Sequence, residues 1–237
     1  MSRGIFITGT DTGVGKTVVA AGLVRLAAQR GTRVIGLKPV ASGAVRAAAG
    51  LRNEDALVLA AAGSVQVSYE VTNPHCFEPP IAPHLAAGDV GAGIRAEGLV
   101  AWYTRATATA DLAIVEGAGG WRVPLHPEGF LSDLPEALGL DVIMVVGLRL
   151  GCLNHARLTA EAIEHGGRCR LAGWIGNSVD PGFARPEDNL ATLARLLGGP
   201  PLAVVPPLDP PSPAAAAAHL ARPALLRVLC PQGPTHG

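Results

Sequence analysis

The chain has 237 residues, and its 19 Lys plus Arg balance 19 Asp plus Glu. A neutral chain lacks the basic stripe that nucleic acid or an anionic membrane surface demands, so any phosphate it binds must be held by a few placed groups. With 49% apolar residues but only 4% aromatic ones, the core must be built from Ala, Val and Leu.

The length predicts one domain over residues 1–237. Uninterrupted apolar runs, the mark of strands buried on both faces, predict strands over residues 5–8, 34–37, 112–115, 142–146, 171–175 and 203–205. Ala- and Leu-rich stretches predict helices over residues 17–29, 55–62, 94–107, 154–165 and 186–197. Such regular alternation specifies an α/β fold: a doubly wound, mainly parallel sheet with helices on both faces. Two segments are less regular. Residues 70–83 carry four prolines and read as an ordered loop over one end of the sheet. "PPLDPPSPAAAAAHLARP" reads as a proline-rich turn followed by an Ala-rich helix. The longest apolar run, "VIMVVGL", is far shorter than the ~18 residues of a membrane span. Cys76, Cys152, Cys169 and Cys230 are scattered without a C-x-x-C pair, against a disulfide framework or a zinc site. The N-terminal "GIFITG" is no secretory signal, so a soluble cytoplasmic protein is expected.

Sheets of this class bind ligands beyond the carboxyl ends of their strands. The first strand runs there into "GTDTGVGKT", residues 9–17. The common phosphate loop has four residues between its first glycine and the Gly-Lys pair; here there are five. The strand–loop–helix context still fits. Glycines turn successive N–H groups inward, and the helix start adds partial positive charge. Lys16 is placed for the β- and γ-phosphates and Thr17 for Mg²⁺. A bare turn has no use for a Lys where the helix dipole disfavours a cation.

Glu116, closing the third strand in "EGAGGW", is a second Mg²⁺ candidate, or else a solvated strand-end carboxylate. Asp55 is a third, although the neighbouring Glu54 serves the argument as well and either acid also answers the helix dipole. Lys38 in "LKPVASG" suits either neutralisation of a transferring phosphoryl group or a plain surface position. Gly151, Cys152, Leu153 and Asn154 open a helix whose free N–H groups suit a carboxylate. Cys152 reads as a small packed side chain rather than a nucleophile.

"TGTDTGVGKT", "GLKPVASG", "GLRNEDALVLA", "TNPHCFEPPIAPHLAA", "VEGAGGWRVPL", "VVGLRLGCLNHARLTAEAI" and "LAGWIGNSV" together resemble the dethiobiotin synthetases, in that family's order and spacing. The early first glycine is a feature of that family. The resemblance implies a P-loop NTPase fold and a biotin-synthesis enzyme that joins CO₂ to 7,8-diaminononanoate and closes a cyclic urea with ATP and Mg²⁺. It implies that Thr12, Lys16 and Lys38 surround carbamate and γ-phosphate, that Ser42 touches substrate, and that Thr17, Asp55 and Glu116 hold Mg²⁺. Gly13, Val14, Gly15, Lys16, Thr17 and Val18 would line the triphosphate with Gly117, Ala118 and Gly119. Asn177 would read adenine, with Pro206, Pro207 and Leu208 nearby. It further implies a homodimer in which Gly151–Asn154 of one subunit meets the substrate tail bound by the other. The chain departs from some members in having Gly13 where they have Glu, and Asp209 is the nearest stand-in for a ribose-side acid.

Other readings differ in specific features. A partition- or septum-type switch ATPase shares the fold, but often carries a second loop Lys or a basic or amphipathic tail; here Thr12 and Gly13 occupy the loop and the chain is neutral. An amidase of the cobyrinate type would need a glutaminase domain, for which 237 residues leave no room. A binding module without catalysis would not explain a complete Mg²⁺ set.

Overall fold

A computed structural model describes residues 2–229; Cys230 lies outside them. Six strands form the central sheet: β1 (Arg3–Gly9), β2 (Val34–Leu37), β3 (Leu112–Glu116), β4 (Asp141–Leu148), β5 (Arg170–Ser178) and β6 (Ala203–Val205). Their order is β6-β5-β4-β1-β3-β2, and every adjacent pair is parallel. All six expected strands are present, each within a few residues of its expected span.

The period-two alternation of each strand separates two cores. Ile5 and Ile7 of β1 face one side with Leu112 and Ile114 of β3, while Phe6, Ala113 and Val115 face the other. On the first side lie α1 (Lys16–Gln29), α2 (Glu54–Ala62), α9 (Pro213–Leu220) and α10 (Pro223–Leu229). The opposite side is covered by α4 (Pro83–Asp89), α5 (Ala96–Ala106), α6 (Asp133–Leu138), α7 (Cys152–His165) and α8 (Pro186–Leu196).

Helix α1 is buried nearly all round, from Val19 to Leu26, because the Ala-rich α9 roofs it. That close approach explains why "KTVVAAGLVRLAAQ" lacks a polar face.

Residues 70–83, expected as an ordered loop, are ordered and add short regular pieces. A single turn, α3 (Tyr69–Thr72), precedes a two-residue strand, His75–Cys76, that pairs with Val40–Ala41. The backbone N–H groups of Phe77 and Ala44 add bonds to Ala41 and Phe77 carbonyls, so this segment is a stitched wall beside the sheet. Pro83 then occupies the first turn of α4, where its missing N–H costs nothing.

Candidate active site

The crossover from β1 runs past β3 to β2, while β4, β5 and β6 add on its other side, so the strand order reverses at β1 and opens a crevice at its carboxyl end. The phosphate loop fills that crevice. A Cβ on Gly9 would meet Val14 Cγ2 at 2.7 Å and Lys16 Cδ at 3.1 Å, so the early glycine lets the loop fold down over its own strand. Gly15, the N-cap of α1, has φ 81°, a left-handed conformation that glycine adopts without strain. No side chain caps α1 and no acid lies in its first turn. Its free N–H groups and positive dipole end are left for a ligand.

The charged residues converge beside this loop. Lys38 Nζ sits 2.6 Å from Glu116 Oε1, 2.9 Å from Asp55 Oδ2 and 3.3 Å from the Gly117 carbonyl. The Thr17 hydroxyl donates to the same Glu116 Oε1 at 2.8 Å. Lys16 Nζ donates to the Asp11 carbonyl at 3.0 Å, and the Asp11 carboxylate pairs with Arg149 at the end of β4. Asp55, not Glu54, therefore reaches the site. Lys38 is no surface residue: it is 3% exposed, with both carboxylates around it.

Burial and charge set the ionisation of this group. Burial, with help from the Lys38 ammonium, lowers Lys16 to about 8. Burial opposes the Lys38 ammonium too, but Glu116 and Asp55 outweigh it and hold Lys38 above the usual lysine range. Burial pushes Glu116 up, with Lys38 offsetting part of the rise. At Asp55, burial is outweighed by Lys38 and the carboxyl is held down.

A Mg²⁺ ion fits these donors. Glu116 is 0% exposed, and its Oε2 has no hydrogen-bond partner among the described residues, a costly state for a buried carboxylate oxygen unless a cation completes it. Thr17 and Asp55 supply further hard oxygens, and two carboxylates with a hydroxyl suit an ion that otherwise coordinates phosphate and water.

A cavity of about 860 Å³ opens over the loop. Of the expected residues, Thr12, Gly13, Gly15, Lys16, Thr17, Val18, Lys38, Ser42, Asp55, Glu116, Ala118 and Gly119 line it. Ser42 Oγ is buried there without a partner among the described residues. Val14 lies beneath the loop, 1% exposed. Gly117 contributes its carbonyl to Lys38.

Other expected residues lie elsewhere. Asn177 Nδ2 donates to the Val14 carbonyl at 2.9 Å, so this amide props the loop from β5. Pro206, Pro207 and Leu208 follow β6 at the same end of the sheet, Leu208 packing against the core under α1. Gly151, Cys152, Leu153 and Asn154 open α7 at the end of β4, outside the cavity lining. Cys152 is not a free donor at that end, since its N–H bonds the Arg149 carbonyl at 3.1 Å. Its thiol is buried and shifted up by burial, as a packed side chain should be.

Asn53, Pro80, Ile81, Ala82, Pro83, Val123 and Pro124 also line the cavity, although no motif in the sequence assigns them a role. The apolar "PPIAP" in a loop was the one signal available.

Solved structures share the architecture. A MinD septum-site protein from Pyrococcus horikoshii, complexed with Mg-ADP, aligns with TM-score 0.57 at 17% identity, covering 98% of this chain and 90% of that one. A ParA family ATPase from Chlorobium tepidum gives TM-score 0.55 at 14% identity, covering 98% and 93%. These likenesses concern the fold, that of P-loop NTPases. A family model described as an AAA domain matches residues 3–215. ATP-dependent dethiobiotin synthetases are far more similar in sequence. The Pseudomonas paraeruginosa enzyme is 53% identical over 91% of this chain and 94% of its own. The Cellvibrio japonicus enzyme is 48% identical over 92% and 95%. The chain belongs to the ATP-dependent dethiobiotin synthetase family. As a member it is a ligase that uses ATP in biotin biosynthesis, built on the fold shared with the ParA family ATPase and MinD structures.

Proposed function

We propose that the enzyme joins CO₂ to 7,8-diaminononanoate and closes the cyclic urea of dethiobiotin, with ATP becoming ADP and phosphate. The convergence of Lys16, Lys38, Thr17, Asp55 and Glu116 on one cavity carries this reading. The cavity presents cations and metal donors for anionic transfer, and the reaction asks for those rather than for a protein nucleophile.

In this scheme the diamine's 7-amino nitrogen attacks CO₂, loses a proton and becomes a carbamate. A carbamate oxygen then attacks the γ-phosphorus of ATP, breaking its bond to the ADP oxygen and giving a carbamic–phosphoric anhydride. The 8-amino nitrogen attacks the anhydride carbonyl, phosphate leaves, and the urea ring closes. Lys16, Lys38 and the Thr12 hydroxyl surround the transferring group, where charge is spread over phosphoryl oxygens. The Gly13–Val18 backbone and residues 117–119 cradle the triphosphate, and Ser42 Oγ meets the diamine end. Thr17, Asp55 and Glu116 would hold Mg²⁺, which supplies charge neutralisation at the phosphates when bound. Asn177, with Pro206–Leu208 beside it, is assigned to the adenine. Two copies of the chain complete each site, the α7 start of one receiving the substrate's tail carboxylate bound by the other.

The decisive experiment supplies ¹⁴C-bicarbonate, MgATP and the diamine and follows acid-stable label. Label in the cyclic urea is the expected result. ATP hydrolysis without carbon fixation would hand the reading to a switch ATPase.

A further inference from the structure

A bonded network behind the cavity wall joins the segment of Lys38 to that of Asp55, and Tyr69 stands at its centre. Its hydroxyl accepts from the Asn53 N–H at 2.7 Å and lies 3.0 Å from Asn73 Oδ1, to which it donates. Asn73 Nδ2 donates in turn to the Lys38 carbonyl at 2.6 Å. The Lys38 N–H is held from the other side by the Thr72 carbonyl at 2.9 Å, one turn of α3 away. Lys38 is thus gripped by its backbone at both ends, from one helical turn.

Asn53 is the other arm. Its Oδ1 caps α2 by accepting from the Ala56 N–H, and its Nδ2 reaches the Ser42 carbonyl at 3.4 Å. Asp55 is in the first turn of that helix. Both segments that bring charge to the Mg²⁺ and phosphate donors are therefore referred to one phenolic oxygen. The Arg52 guanidinium lies over the Tyr69 ring at 4.1 Å and fixes its plane. Burial, with the Cys76 thiol at 3.4 Å, pushes Tyr69 up to about 12, so the hydroxyl keeps its proton and its role as donor.

We infer that Tyr69 is a positioning residue whose hydroxyl sets Lys38 and Asp55 in register for the metal–nucleotide complex. This rests on the reading of the cavity as the Mg²⁺–ATP site. Partners of this indirect kind alter metal affinity or activity by about 10- to 100-fold when removed.

The test uses Tyr69→Phe, which keeps the ring under Arg52, and Asn73→Asp, which keeps an acceptor for Tyr69 but loses the donor to Lys38. Two readouts are taken: the Mg²⁺ concentration for half-maximal ADP binding by calorimetry, and kcat with KM for dethiobiotin formation. Each variant should raise the Mg²⁺ requirement and lower kcat by about 10-fold, with KM for the diamine within about 2-fold. The double variant should add little to either, because both changes cut one chain of bonds. A folded Tyr69→Phe enzyme with unaltered Mg²⁺ requirement and kcat would overturn the inference, as would fully additive effects in the pair. If Tyr69→Phe does not fold, Asn73→Asp decides by the same two readouts. A parent enzyme that forms no dethiobiotin rejects the reaction, whereas the Mg²⁺ titration still judges Tyr69.

Discussion

Two helix starts lie side by side at the carboxyl edge of the sheet, and they are built alike up to a point. Helices α1 and α7 follow the adjacent strands β1 and β4, are capped by left-handed glycines (Gly15, φ 81°; Gly151, φ 94°), lack side-chain caps, and carry no acid in the first turn. Helix α2, by contrast, has an Asn53 cap and two acids of its own. A helix that leaves its N-terminal donors unanswered holds them for something outside itself. Around α1 the chain adds two buried lysines and a strand-end carboxylate, the groups on which the proposed reaction rests. Around α7 it adds none of these. Cys152 N–H closes the preceding turn, the Leu153 backbone bonds the Cys152 thiol, and Leu150 beside them is 93% exposed. Such a start fits an anion that is held but not transformed.

Metal removal should separate the two most sharply. The donors Thr17, Asp55 and Glu116 belong to α1's surroundings alone, so EDTA should abolish turnover and Mg²⁺ or Mn²⁺ restore it. Binding of the product dethiobiotin should persist under chelation, as equilibrium dialysis would show. Turnover indifferent to EDTA would mean that the orphaned Glu116 oxygen is no metal ligand.

Next comes the lysine that α7 lacks. Lys16→Gln replaces the cation at the α1 start with a neutral, slightly shorter amide, and should lower kcat more than ~100-fold, several kcal/mol of transition-state stabilisation. Thermal melting should change little, since a neutral amide replaces an ammonium already penalised by burial. Near-normal turnover of the purified variant would break the distinction drawn between the two starts.

How much of this was visible in residues alone follows from range. The strands were plain because burial on both faces leaves uninterrupted apolar runs in the middle of β1, β3 and β4, with charged residues only at their ends. The loop was plain because its chemistry is contiguous. The α3 turn and the short pair at Val40–Ala41 were hidden, since their bonds join segments more than thirty residues apart and the prolines around them argued for a loop. Lys38 gave no local sign of burial; Glu116, 78 positions away, and Asp55, 17 positions away, make a buried ammonium tolerable there. Tyr69 was missed for the same reason, because a hydroxyl shared between two backbone segments leaves no periodic trace.

The α7 start is tested through its own ligand. A carboxylate there gains roughly 0.3–1 kcal/mol from the dipole when exposed and up to ~2 when partly buried. Hydrogen bonds to a charged acceptor add about 1.5–3 kcal/mol each. The methyl ester of the diamine should therefore raise KM for the diamine at least ~10-fold, with KM for ATP unchanged. Unaltered KM would place the tail elsewhere.

The smallest effect is the one that titrates. Lys16 is depressed to about 8 by burial, so the α1 start loses its side-chain cation as pH rises through that value. Nucleotide phosphates favour the ammonium, which means that binding above pH 8 must take up a proton, and linkage then makes affinity fall as pH rises. One unit above the pKa only about a tenth of the free enzyme carries the charge. ADP should bind about 10-fold more weakly at pH 9 than at pH 7 in the presence of Mg²⁺, with a calorimetric heat that depends on the buffer's ionisation enthalpy. The α7 start relies on peptide N–H groups, which do not titrate in this range, and the urea product carries no amine. Dethiobiotin binding should thus stay within about 2-fold over the same interval. A parallel fall for both ligands would show that the pH effect is a general loosening of the fold, and that the two starts do not differ in the way their charges indicate.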